Sequence, residues 1–238
     1  MFKKIVPFNF EKFADKRVKP VDNYRFAAGA HISSVLVNEI NRVAPVYPVV
    51  FLKESEEKYG LYALLGLQQG ENLFVDADGK WQAPYVPAVI RRYPFALGKG
   101  REENQFVICI DEESEFLSDT EGRPLVEDGK PAEVVEKVKE YLTEVQRYSE
   151  ITNRFCEEIR SRDLLMPINM QLKTAGADTP NVNIAGCFGV SEAKLNEMSD
   201  EDFIALRKKG ALPLIYAHLI SLAQMERLAK LRGERNAG

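Results

Sequence analysis

The stretch ENLFVDADGKWQAPYVPAVIRRYPF, Glu71 to Phe95, holds the chain's only tryptophan (Trp81), three of its twelve prolines and a tandem arginine pair, Arg91-Arg92. Its first half reads as a hairpin: residues 72–75 and 81–85 flank Asp78-Gly79, which supplies the positive φ that a tight turn needs. Asp76-x-Asp78-Gly79 has the opening of a calcium loop, yet Pro87 stands where the twelfth-position glutamate belongs. A plain hairpin is therefore expected, with no metal. Pro87 suits the start of a helical turn over 88–93, which Pro94 ends.

On the N-terminal side, residues 1–26 alternate Phe2, Phe8, Phe10 and Phe13 with lysine and proline. They read as an extended arm whose rings pack onto the body. His31 then precedes SSVLVNEINRVA, a short helix with Ser33 or Ser34 as N-cap and Val35, Ile40 and Val43 on its apolar face. Strand-like runs at 47–53 and 59–67 follow, joined by the solvated cluster ESEEK. On the C-terminal side a loop at 98–100 leads to the apolar strand 106–110, ending at Asp111. Residues 111–130 are acidic and turn-rich, and Asp128-Gly129 suggests a second small hairpin.

The longest helical signal lies beyond Pro131. Residues 132–166 contain no glycine or proline, and Val134, Val138, Tyr141, Val145, Tyr148, Thr152, Phe155 and Ile159 recur at spacings of four and three. One helix, or two broken near Ser149, satisfies that pattern. Short strands at 166–172 and 182–188 flank a turn-rich segment, 175–183. Ser191 caps a brief helix, Ser199 starts another over 201–209, and Gly210 stops it. A last helix runs from Leu212-Pro213 to Arg232, closed by Gly233, with Ile215, Leu219, Leu222 and Met225 inward. The fold class is α+β: mainly antiparallel sheet with a long central helix and a C-terminal helical segment. One domain is expected over 1–238, strand-rich to residue 130 and helix-rich from 131.

The 238 residues are enough to bury a sizeable core. A formal net charge of −4 leaves no basic excess for counterion release, so no nucleic-acid partner is expected. Cys109, Cys156 and Cys187, odd in number and widely spaced, fit a reducing compartment and match no metal knuckle. The N-terminus lacks the apolar core and cleavage site of a signal peptide, and no run of about 18 apolar residues exists. The expected location is the cytoplasm, with export by a signal-less route as the alternative.

Reactive residues are few. His218 lies at the edge of the last helix's apolar stripe and reads as a hydrogen-bonded boundary residue before a general base. His31, beside Ser33 and Ser34, has the spacing to orient a nucleophile or hold an anion. Cys109, inside an apolar strand, reads as a small core hydrophobe. No nucleophile elbow or zinc-binding helix pattern occurs. No catalytic residue, metal ligand or cofactor is assigned. The group of interest is Trp81, Tyr85, Arg91 and Arg92, since aromatic and guanidinium neighbours stack on planar ligands or grip carboxylates. The competing reading has Trp81 and Tyr85 roofing the core while the arginines pair with acids of the 111–128 loop. That competing reading is preferred; a ligand pocket, where the chain has one, is expected here, with His31 or His218 completing it.

The same stretch carries a family resemblance. Tyr85-Val86-Pro87-Ala88-Val89-Ile90-Arg91-Arg92-Tyr93-Pro94-Phe95 and Tyr216-Ala217-His218-Leu219-Ile220-Ser221-Leu222 are its most specific pieces. Ala44-Pro45-Val46-Tyr47-Pro48, Glu71-Asn72-Leu73-Phe74 and Ile108-Cys109-Ile110-Asp111 add to it. Over almost its whole length the chain resembles the SapC family of bacterial proteins. That resemblance implies an association, by name, with surface-layer systems. The expected role is a non-enzymatic accessory or interaction protein with a protein partner. The alternative is a protein that binds or modifies a small molecule in a pocket near Trp81, Arg91 and Arg92. An enzyme requires that pocket to gather a histidine, an arginine and a carboxylate such as Asp111. An interaction protein requires an exposed apolar patch instead.

Overall fold

The computed structural model describes residues 1–100, 105–172 and 182–237. The N-terminal arm contributes β1 (Ile5–Pro7) and β2 (Arg17–Val18). Next come β3 (Ile32–Ser34), a 3-10 turn over Val37–Glu39 and α1 (Ile40–Val43). The hairpin β4 (Val49–Ser55) and β5 (Lys58–Leu64) is followed by α2 (Ala88–Arg91), β6 (Phe95–Lys99) and β7 (Phe106–Asp111). Four two-residue strands, β8 (Leu117–Ser118), β9 (Arg123–Pro124), β10 (Val126–Glu127) and β11 (Lys130–Pro131), lead into α3 (Glu133–Ser161). The chain closes with β12 (Leu165–Leu172), β13 (Val182–Val190), α4 (Glu192–Asn196), α5 (Asp200–Lys208), α6 (Ala211–Ser221) and α7 (Gln224–Ala237).

All described strand pairs are antiparallel, which makes the fold α+β as expected. The main sheet has the order β12-β13-β4-β5-β3, so it takes strands from both sides of residue 131. A second sheet is β1-β7-β6, and a small ribbon is β8-β2-β9. Asp128 (φ 51°) and Gly129 (φ 70°) turn β10 into β11, as their residue types require. Among the described residues no helix is long and apolar enough to cross a membrane.

With no glycine or proline to break it, α3 is one continuous helix that joins two cores. Phe155, Cys156 and Ile159 pack into the core around the main sheet. Val135 and Leu142 pack instead with Phe13, Phe95, Ile110 and Leu125. In this first half the buried face is rotated away from the expected stripe, because a strict seven-residue repeat drifts about 20° per heptad around a straight helix. Val134, Val138 and Tyr141 are therefore only half-buried.

Several local expectations are corrected. Ser33 and Ser34 belong to β3, an edge strand paired with β5 (Ile32 with Leu64, Ser33 with Ala63), and do not cap a helix. Cross-strand pairing outweighs the capping signal, and the helical turn starts only after Leu36, whose N–H donates to Glu39 Oε1 at 3.0 Å. The loop expected at 98–100 is mostly β6, where Gly98 permits close strand approach: a Cβ there would lie 2.7 Å from Cys109 Sγ. The outer end of β7 is exposed at Phe106, while Cys109 and Ile110 are buried. The 72–85 hairpin keeps its turn, with Gly79 at φ 83°, but its arms share a single bridge, Val75 with Trp81. Phe74 packs edge-on against Tyr47 (4.6 Å between centroids), which draws the arms into the core. The last helix is two, α6 and α7, and α7 passes Gly233 because Arg235 donates to the carbonyls of Asn72 (2.9 Å) and Val75 (2.8 Å). The expected turn-rich segment lies, up to residue 181, outside the described residues.

Candidate functional site

Trp81 is buried, and its Nε1–H donates to Tyr47 Oη at 2.9 Å. The Tyr47 hydroxyl donates in turn to the Tyr85 carbonyl. Tyr85 Oη donates to Glu39 Oε2 (2.7 Å), which also accepts from the Ala88 N–H (2.8 Å). Burial, then the Glu39 hydrogen bond, pushes the Tyr85 phenol up to about 12. Every polar atom in this chain of bonds has its partner. Trp81 and Tyr85 roof the core.

The arginines behave differently. Arg91 is exposed; its Nε donates to the Val86 carbonyl (3.0 Å), and its guanidinium lies over the Tyr85 and Tyr141 rings at 5.4 and 5.7 Å. Arg92 is half-buried with its guanidinium 5.7 Å from the Phe2 ring, and its buried Nε has no hydrogen-bond partner. Burial lowers its pKa. Among the described residues neither arginine forms an ion pair, so the expected pairing with the 111–128 acids is not made. The N-terminal arm takes three of those acids. Asp111 accepts from the Lys3 and Lys4 N–H groups (2.9 and 2.8 Å), Glu112 pairs with Lys4 and Lys12, and Asp119 pairs with Lys16 at 2.6 Å. Burial pushes the Asp111 carboxyl up, but those N–H groups and the Tyr93 hydroxyl outweigh it and hold it below the ordinary carboxylate range.

Arg91 and Arg92 line a cleft of about 370 Å³ between residues 18–21, the 91–95 segment and the first half of α3. Its walls are apolar, aliphatic at Val18, Pro94, Val134 and Val138 and aromatic at Tyr93, Phe95 and Tyr141. Three further cations, Lys19, Arg123 and Lys137, line it too, and no Asp, Glu, His, Cys or Ser does. Only Lys137 of the five is tied to a carboxylate among the described residues, Glu133 at 2.5 Å. So close a gathering of one sign raises the local potential despite the chain's net negative charge. Of the cleft's cations, Lys137 is one turn before Tyr141 on the half-open edge of α3, a signal present in the periodicity. Lys19 and Arg123 reach the cleft only through the β2–β9 pairing, where Val18 faces Arg123.

The histidines are elsewhere. His31 immediately precedes β3 and lines a separate cleft of about 180 Å³ with Leu52, Leu64 and Cys187. His218 is at the centre of the α6 contact with the main sheet, fully buried, and is no boundary residue. Its Nδ1–H donates to the Val49 carbonyl (2.8 Å), and its Nε2 accepts from the Val190 N–H (3.0 Å). Burial lowers its pKa to about 4. Cys109, Cys156 and Cys187 are buried free thiols whose pKa values burial raises, Cys156 to about 12. On the outer face of α6, Tyr216 (45 % exposed) and Ile220 (71 %) present apolar surface one turn apart.

A family model described as SapC matches residues 8–228, a span that contains the cleft, the aromatic network and α6. No curated protein and no solved structure matches the chain.

Proposed function

The chain belongs to the SapC family, and on that premise we propose that it works by binding and not by turning over a substrate. The cleft at Arg91 and Arg92 carries this reading. It collects cations and apolar walls but no imidazole, carboxylate or thiol, and its two phenols are spent on structural bonds, Tyr93 to Asp111 (3.1 Å) and Tyr141 to the Ala88 carbonyl (2.9 Å). Such a lining holds an anion. We place the protein as a cytoplasmic accessory to surface-layer systems, the setting its family is associated with by name. The exposed Tyr216 and Ile220 support a protein partner for that role.

Native purification of the tagged chain from its host, read by intact mass spectrometry, tests the proposal. The parent is expected to carry a stoichiometric protein or a bound small anion. Folded Arg91→Ala and Arg92→Leu variants are expected to lose the small anion. If both variants fold and retain every bound species of the parent, the cleft has no part in the function.

A further inference from the structure

We propose that the Arg92 cleft takes one monomeric amphipathic acid, a carboxylate or phosphate head on a short alkyl body. This rests on the binding role proposed above and names the class of molecule bound. Three observations converge on it. The cleft, at about 370 Å³, is within the size range of small-molecule sites and admits a single molecule of that kind. Four of its five cations have no carboxylate within ion-pair distance among the described residues, Glu133 acting on Arg123 only at longer range, and half-buried Arg92 has an Nε with no acceptor. A half-buried guanidinium left unneutralised attracts an anion more strongly than a fully solvated one does. Its planar fork suits the paired oxygens of carboxylate and phosphate.

The walls decide the rest. Val134, Val138 and Tyr141 are apolar or aromatic side chains of α3 that neither core covers fully. A bare anion would leave them wet. A wholly apolar ligand would strip water from the lining cations and return no hydrogen bond, at a cost. An acid head with an alkyl body satisfies both surfaces at once. A cationic amphiphile is rejected by charge.

The test is calorimetric titration of the full chain with octanoate, octyl phosphate, octanol, octylamine and inorganic phosphate, each kept monomeric, at low and high salt. Octanoate or octyl phosphate is expected to bind one per chain, at least tenfold tighter than octanol or inorganic phosphate, and more weakly at high salt. Which acid binds tighter identifies the head group. Octylamine is expected not to bind. Arg92→Leu and the exposed Arg123→Ala should each weaken the preferred acid by about tenfold with thermal midpoints close to the parent's. Octanol binding as tightly as the acids, or inorganic phosphate matching octyl phosphate, overturns the amphipathic class. Unchanged affinity in both folded variants overturns the site. If no probe binds but the natively purified parent carries another small molecule that Arg92→Leu loses, the ligand class falls and the binding role stands. If no probe binds and the native protein carries neither ligand nor partner, both fall.

Discussion

The contact of α6 with the main sheet and the cleft beside α3 treat a buried side-chain nitrogen in opposite ways. Around His218 each ring nitrogen is used, one donating to Val49 and the other accepting from Val190. Ser221 extends the seam: its Oγ accepts from the Val49 N–H (2.9 Å), and its hydroxyl donates to the His218 carbonyl (2.6 Å). Phe51 closes it edge-on, 5.1 Å from the imidazole. Around Arg92 no carboxylate is brought within reach: Asp111, Glu112 and Asp119 are held by Lys3, Lys4, Lys12 and Lys16, and Nε is left without an acceptor. Burial of a polar side chain is therefore a poor marker of function. Burial without satisfaction is the better one, because native chains leave few such groups and each calls for a reason.

Four measurements break or sharpen this contrast. The largest effect is expected from His218→Ala, which opens a cavity and strands the Val190 N–H and the Val49 carbonyl. It should lower unfolding free energy by about 3–5 kcal/mol in urea denaturation. A loss below about 1 kcal/mol would mean that the seam is not the structural lock described.

Acid should act through the same residue. The folded chain holds His218 neutral, with a pKa near 4, while the unfolded chain takes up a proton below about 6.5. Stability is thus intact above pH 6.5 and falls as pH drops from there toward 4, by roughly 3 kcal/mol. Denaturation midpoints across that window should slope for the parent and flatten for His218→Gln. The Asp111 contribution, with its depressed carboxyl, is lost only at lower pH. Equal slopes in parent and variant would remove His218 from the account.

Trp81→Phe keeps a ring in the core and removes the donor to Tyr47 Oη, so a loss of about 1–2 kcal/mol is expected by thermal unfolding. Arg92→Leu should change stability least, within about 1 kcal/mol and with a gain as readily as a loss, since the orphaned donor disappears with the charge. A loss above about 3 kcal/mol would make Arg92 a structural residue like His218 and close the comparison.

Much of the quoted stretch was legible because its signals are local. Asp78-Gly79 turns where it should, and Pro87 is the N-cap of α2. Trp81 and Tyr85 adopt the roofing role that was one of two readings of them. Arg91 and Arg92 look alike in sequence, and nothing local separates them. One is held on the surface by Val86, Tyr85 and Tyr141; the other is drawn beneath Phe2 of the arm. Missing β6 and reading β3 as a helix cap share one cause: both strands exist through partners, β7 and β5, that their own residues do not specify.

By itself the sequence determined the α+β class, the family, the glycine- and proline-free run that α3 occupies, and the caps at Ser191 and Ser199, whose hydroxyls accept from Lys194 and Asp202 as their positions require. These follow from backbone preferences and one-turn contacts, which neighbouring residues settle among themselves. Only the tertiary structure decided which half of the α3 stripe stays open, which acids the arm's lysines claim, and that Lys19, Arg123 and Arg92 share one cleft. Those outcomes turn on competition between distant groups for the same partners, and that competition is resolved only once β2, β9 and α3 are packed together.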